Sequence, residues 1–265
     1  GKFVANNQAI PKTSISGACV RAADYDGDGD LDLFISGRNS PMQYPKATSS
    51  KVLRNDSKAG KPKFEDVTAK VAKGLEEIGM ICDALWSDYD NDGDKDLILV
   101  GDFMTIRIFE NTNGSFKMLE NTGLENYSGI WNSITSGDFD QDGDIDYVVG
   151  NVGENALFKG TKEQPAMLLS GDFDNNDRYD VLPFKYFPDG KGGTVLAPYN
   201  GKDDISRQFN PFRTRFTTFK EFAEATFDNI LTKDEMATAT KHYLNHNASS
   251  YIENLGHGKF SLNKL

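Results

Sequence analysis

Four nine-residue loops in this chain space their oxygens as a hard divalent cation requires. They read DYDGDGDLD (24–32), DYDNDGDKD (88–96), DFDQDGDID (138–146) and DFDNNDRYD (172–180). Carboxylates set at alternate positions repel one another unless a cation sits among them. Oxygen ligands at positions 1, 3 and 5, a sharp-turning glycine at 6 and a main-chain carbonyl at 7 are how a Ca²⁺ loop is built. Positions 1, 3, 5 and 7 are Asp24, Asp26, Asp28 and Asp30 in the first loop and Asp88, Asp90, Asp92 and Asp94 in the second. In the third they are Asp138, Asp140, Asp142 and Asp144. The fourth departs from the pattern: after Asp172 and Asp174 come Asn176 at position 5 and Arg178 at position 7, and Asp177 replaces the glycine. Three Ca²⁺ sites are expected, with the fourth loop as a further candidate.

These loops are not EF-hands. Position 12, where an EF-hand places its bidentate Glu, holds Ile35, Leu99, Val149 and Pro183. A carboxylate at position 9 (Asp32, Asp96, Asp146, Asp180) can take over the closing role. The flanks are strand-like rather than helical. LDLFIS (31–36), DLILVG (96–101) and DYVVGN (146–151) follow the loops, and 81–87 and 130–136 precede them, rich in β-branched and aromatic residues. Each acidic loop therefore caps a β-hairpin.

The elements that must position the loops recur as well. A second hairpin follows in three places: 52–56 with 63–67, 108–112 with 115–119, and 251–255 with 259–262. Two linked hairpins form a four-stranded antiparallel unit, and repetition of such a unit signals a β-propeller blade. The expected fold is all-β, a single propeller domain over 1–265 with blades at about 11–68, 80–119, 130–165 and 166–265. The third unit lacks an evident fourth strand. Gly1-Lys2-Phe3 repeats Gly258-Lys259-Phe260, the start of a fourth strand, so the expectation is either a fragment of a longer ring or an unusual closure in which residues 2–4 find a partner edge.

The chain carries 40 Asp+Glu against 29 Lys+Arg, a net charge of −11. The loops hold 5, 5, 5 and 4 of the acids but only Lys95 and Arg178 among the bases; elsewhere basic residues outnumber acidic ones, 27 to 21. The acidity is local, which suits discrete ion sites rather than a diffuse acidic coat. Four divalent ions would bring −11 to −3. No nucleic-acid partner and no membrane insertion are expected.

The motif D-x-D-x-D-G-x-x-D, followed by an apolar strand and an RND…KF-DVT hairpin, resembles the FG-GAP/VCBS repeats of integrin-α-like propellers. More narrowly the chain resembles bacterial VCBS-repeat proteins of the ASPIC/UnbV type, relatives of cartilage acidic protein. The segments that carry this likeness are SGRNSP (36–41), LWSDYD (85–90), WNSI (131–134) and YIENLGHGKF (251–260). The resemblance implies an exported protein (extracellular, surface-bound or periplasmic) and a larger, seven-bladed ring to which further blades of the parent chain contribute.

Residues 199–249 interrupt the β pattern as a helical insertion within the last blade. Thr218…Glu221 and Thr232…Glu235 are capping-box pairs, predicting helices over 218–230 and 233–244. This insertion and the segment 37–50 are expected to leave from the end opposite the calcium loops and to form a ligand face. Arg38, Tyr44, Arg207, Arg213 and Arg215 are its candidate contacts.

Other chemistry is sparse. His242 and His246 stand at i, i+4 on the second predicted helix, but no third ligand accompanies them, so a solvated helix end is favoured over zinc. Trp86 and Trp131 are read as packing residues rather than sugar platforms, and Cys19 and Cys82 as buried free thiols rather than a disulfide. There is no Gly-rich phosphate loop and no G-x-S-x-G. The expected function is an exported, Ca²⁺-stabilised interaction module for a protein or carbohydrate ligand, with no assigned catalytic residue. A polysaccharide lyase and a purely architectural part of a larger surface protein are the alternatives.

Overall fold

The apolar stretches on either side of each acidic loop pair as antiparallel strands. In the computed structural model, which describes residues 5–13, 15–76 and 78–265, the first sheet contains β1 (Val20–Ala23), β2 (Asp32–Ile35), β3 (Lys51–Asn55) and β4 (Phe64–Asp66) in that order. A single helical turn, α1 (Thr68–Val71), follows. The second sheet runs β5 (Met80–Ser87), β6 (Asp96–Met104), β7 (Arg107–Thr112) and β8 (Ser115–Met118), and β9 (Gly129–Ile130) adds to the far end of β6. The expected strand at residues 2–4 lies outside the described residues.

The third sheet differs from the sequence reading. It joins β10 (Ser133–Gly137) and β11 (Asp146–Gly150) to β16 (Ser250–Asn254) and β17 (Phe260–Lys264). The YIENL hairpin thus completes the third unit rather than the fourth, with Val149 paired to Ser250 and Tyr147 to Ile252. The third unit does have a fourth strand, supplied from far along the chain. Between β11 and β16 lies the fourth sheet, in the order β14 (Thr194–Pro198), β13 (Asp180–Pro188), β12 (Ala166–Gly171) and β15 (Thr240–Leu244).

The helical region is also arranged differently. It contains α2 (Lys202–Gln208), α3 (Phe212–Arg215), α4 (Phe219–Ala223) and α5 (Lys233–Thr238). Both capping boxes form: the Thr218 and Thr232 hydroxyls accept from the Glu221 and Glu235 amides, and each Glu side chain returns to its cap. The two helices stop well short of their expected ends. Thr240–Leu244, expected to be helical, is strand β15 and pairs with β12, Met167 facing Tyr243. Its β-branched and aromatic residues suit a pleated surface, and the open edge of β12 supplies the partner.

Three apolar clusters hold the sheets. Phe34, Val52, Ile81, Leu97 and Phe109 lie in the cluster shared by the first and second sheets. Ile98, Ile108, Trp131, Tyr147 and Ile252 lie in the one shared by the second and third. Alternating residues of β6 and β7 point into one or the other, as a period of two demands. Each such side chain taken out of water contributes about 1.5–3 kcal/mol, enough for neighbouring sheets to adhere through side chains. The third cluster joins the fourth sheet to its helices: Leu169, Leu182 and Phe184 meet Phe209, Phe212 and Ile230. The insertion therefore covers a face of the fourth sheet instead of crowning the molecule.

Candidate metal centres

All four acidic loops close in one register. The residue before position 1 pairs with the aspartate at position 9: Ala23 with Asp32, Ser87 with Asp96, Gly137 with Asp146 and Gly171 with Asp180. These four aspartates are buried. Each accepts a hydrogen bond from the amide at position 2, namely Tyr25, Tyr89, Phe139 and Phe173, at 3.1–3.3 Å. In the first three sheets the second carboxylate oxygen accepts from the amide of an asparagine in the third strand: Asn55 at 2.8 Å, Asn111 at 2.9 Å and Asn254 at 2.9 Å.

Within the loops, the position-7 amide donates to the position-5 side chain in every case. Asp30 donates to Asp28, Asp94 to Asp92, Asp144 to Asp142 and Arg178 to Asn176. The position-6 amide donates to position 1 in the first, second and fourth loops, from Gly29, Gly93 and Asp177. Asp177 adopts φ 62°, a left-handed conformation that Asp tolerates better than most side chains. The fourth loop thus keeps the turn despite its changed sequence. Position 4 is left-handed as well, at Gly27, Asn91, Gln141 and Asn175. The sequence reading passed over this position, although its Gly and Asn residues were a usable signal.

Carboxylate oxygens converge in each loop to within 4.8 Å of one another: Asp24, Asp26 and Asp32; Asp88, Asp90 and Asp96; Asp138, Asp140 and Asp142; Asp172, Asp174 and Asp180. Each loop also holds one carboxylate oxygen shut away from solvent with no hydrogen-bond donor among the described residues: Asp30 Oδ1, Asp88 Oδ1, Asp144 Oδ1 and Asp174 Oδ1. A buried polar atom left unpaired is costly, and a cation inside the loop removes that cost. An all-oxygen donor set favours Ca²⁺ or Mg²⁺ over softer metals. These clusters therefore fit a hard cation, the fourth as well as the first three.

Electrostatics agree. Burial, with nearby carboxylates adding to it, pushes Asp96 up to about 7 and Asp32 and Asp180 up to about 6, against the hydrogen bonds that they accept. Burial and then the charge of Asp142 raise Asp144 to about 6. Asp26, Asp90 and Asp140 are raised by burial first and by neighbouring aspartates second. Without positive charge inside them the loops resist full ionisation.

The asparagines that meet position 9 have a second task. Asn111 donates from Nδ2 to the Tyr25 carbonyl of the preceding loop at 2.7 Å and to its own loop at the Lys95 carbonyl. Asn254 does the same to the Tyr89 carbonyl at 2.7 Å and the Ile145 carbonyl. Their Oδ1 atoms accept from Gly114 and Gly256, fixing the hairpin turn. Sequence reasoning missed these residues as positioning groups; their recurrence in RND, ENT and ENL was the available signal.

Most of the proposed ligand-face arginines are engaged within the fold. Arg38 is bound to Asp102 through Nη2 at 2.8 Å and Nε at 3.2 Å, with Tyr44 nearby. Arg207, Arg213 and Arg215 belong to the helical region. Arg215 is engaged by Glu235 and the Ile230 carbonyl, both at 2.8 Å, and Arg213 by the Ser206 carbonyl; only Arg207 is largely free, 3.4 Å from Asp204. The histidines sit differently from the expectation. His242 lies on β15 with Nε2 3.2 Å from Ser170 Oγ, and His246 is buried against Trp131 and bonded to Ser250. Burial lowers both, favouring neutral imidazoles. Trp131 is fully buried, and Trp86 stacks on Tyr25 while donating to the Arg21 carbonyl. Cys19 and Cys82 are free thiols, half-buried rather than buried.

A family profile described as an FG-GAP-like repeat matches residues 88–149. The matched span begins at position 1 of the second loop and runs into β11, so it contains two consecutive acidic loops with strands β6 to β10 between them. No curated protein matches the chain. Among the described residues no helix is long and apolar enough to cross a membrane.

Proposed function

We propose that the chain is an exported, Ca²⁺-stabilised interaction module of the β-propeller type, recognising a protein or glycan. The FG-GAP-like match and the four sheets with one loop design support this reading. The observation that carries it is the buried, donorless carboxylate oxygen in every loop. Asp24, Asp26 and Asp32, and their counterparts, would hold the ion, with Asp28 and the main chain at Asp30 available beside them. When bound, the ion supplies positive charge and rigidity to each hairpin. The chain's own contribution is to anchor each loop through its position-9 aspartate, so that the opposite ends of the strands are held in fixed relation.

Loops of this design often work at about 10⁻⁴–10⁻³ M Ca²⁺, a level met outside the cytosol. That supports export, as does the likeness to ASPIC/UnbV-type proteins. We read the first three sheets as consecutive blades of a larger ring, completed by further blades of the parent protein. Phe139, the counterpart of the buried Tyr25 and Tyr89, is 51% exposed, as a surface awaiting a neighbouring sheet would be.

Calorimetry across a Ca²⁺ titration tests the proposal. Ion binding confined to the folded state raises Tm by mass action. A melt that is identical in excess chelator and in millimolar Ca²⁺ would refute the metal reading.

A further inference from the structure

A cleft of about 730 Å³ opens between the second and fourth sheets, at the end of the second sheet away from its acidic loop and beside Tyr179 of the fourth loop. This falls within the roughly 300–1,000 Å³ typical of small-ligand sites. Its walls include the 45–47 loop, residues 78–80, the β6–β7 turn with Arg107, Glu125 and Ser128, Tyr179 of the fourth acidic loop, and β15.

Its charges are unequally satisfied. Both acids among the described lining residues are occupied. Asp102 accepts from Arg38 and the Cys82 thiol, and Glu125 accepts from the Thr122 and Gly123 amides. The cations are not. Arg107, Lys46 and Lys241 have no carboxylate partner among the described residues; Lys46 rests 5.6 Å from the Tyr179 ring centre and Lys241 5.3 Å from that of Phe227. Arg107 Nε and Thr105 Oγ1 are both shut away from solvent with no hydrogen-bond partner among the described residues. A guanidinium N–H buried without an acceptor is costly, and an anion in the cleft supplies what it lacks.

The backbone at this spot is unusual as well. Phe103, in the lining, has φ 52°, a left-handed conformation that is rare for an aromatic residue, and the β6–β9 register shifts around it between Asp102 and Met104. Strain of this kind gathers at binding sites, where the surrounding fold enforces it. The ring lies 6.4 Å from that of His242, leaving an apolar wall beside hydroxyls from Thr105 and Ser170.

We infer that this cleft binds an anionic saccharide, its carboxylate on Arg107, its hydroxyls on the neighbouring hydroxyl and amide groups and its ring against the aromatic wall. The inference rests on reading the chain as a recognition module and names the ligand class. A guanidinium and a carboxylate pair in two parallel hydrogen bonds, and sugar C–H faces pack on aromatic rings while their hydroxyls need partners of the kind present here.

The test is calorimetric titration of the Ca²⁺-loaded protein with a uronate trisaccharide, its methyl ester and inorganic phosphate. The acid is expected to bind, and the ester at least tenfold more weakly. Arg107→Gln and Lys241→Ala are each expected to weaken the acid at least fivefold while the Ca²⁺-induced rise in Tm persists. Thr105→Ala is the gentler variant, should Arg107→Gln fail to fold. No binding of the acid, equal binding of acid and ester, or wild-type affinity in the Arg107 and Lys241 variants each overturns the inference. Phosphate bound as tightly as the acid overturns the saccharide assignment. Loss of the Ca²⁺-induced Tm rise in the wild type instead defeats the proposed function, so the two failures are separately visible.

Discussion

The side-chain amide of Asn254 donates to the main-chain carbonyl of Tyr89 at 2.7 Å, across 165 positions of sequence. The same group binds Ile145, and the Asn254 amide binds Asp146. One residue thus ties the third sheet to its own acidic loop and to the loop before it.

Asn254→Ala and Asn111→Ala should each destabilise the fold by about 1–3 kcal/mol, since each strands buried carbonyls. Asn55→Ala should cost less, because its side-chain amide reaches only the exposed Leu31 carbonyl of its own loop. Urea denaturation of the three variants measures the ranking.

The metal-free protein should lose stability as pH rises. Asp96 at about 7, and Asp32, Asp144 and Asp180 at about 6, stand above the ordinary aspartate value. A raised folded-state value means that the folded chain holds more protons between the two values, so the contribution of these four groups is full below about 4 and is lost as pH climbs through 6–7. Ca²⁺ competes with those protons and should raise Tm most at pH 7–8. Melts from pH 4.5 to 8, with chelator and with Ca²⁺, should diverge with increasing pH; parallel curves would speak against linkage between ion and proton.

Asp90 and Asp96 should separate two roles within one loop. Asp90→Asn removes an exposed ion ligand and relieves repulsion, so the metal-free Tm should hold or rise while the Ca²⁺ increment shrinks. Asp96→Ala removes the acceptor for the Tyr89 and Asn111 amides and should lower Tm with or without the ion. Equal behaviour of the two variants in chelator would contradict the assignment.

Thiol labelling should count two free cysteines in denaturant and a slow reaction in the native state. Burial first, and the Asp102 charge next, push the Cys82 thiol up to about 12, so little thiolate is present at neutral pH. Cys19 is raised by burial. Fast native labelling of Cys82 would contradict the contact with Asp102.

Local patterns were readable in the sequence wherever the forces are local. The aspartate spacing located all four carboxylate clusters, and Thr218/Glu221 and Thr232/Glu235 marked helix starts correctly. Helix ends were misplaced because Thr240–Leu244 finds its partner on β12, some seventy residues earlier, and pairing at that distance leaves no trace in periodicity. The YIENL hairpin was assigned to the nearest loop for the same reason. Its true neighbour is β11, beyond the entire fourth sheet. Arg107 and Thr105 carry no motif at all; only the meeting of separate sheets makes a cleft of them.

The detour between Val149 and Ser250 also orders events during synthesis. As the ribosome releases the chain, the first two sheets can pair within themselves, but β11 must wait with a bare edge until β16 emerges. Such an edge invites pairing with other chains. Asn151 and Ser249, bonded at 3.1 Å, are where that waiting ends: the returning strand re-enters beside the point of departure, and the exposed ladder is sealed.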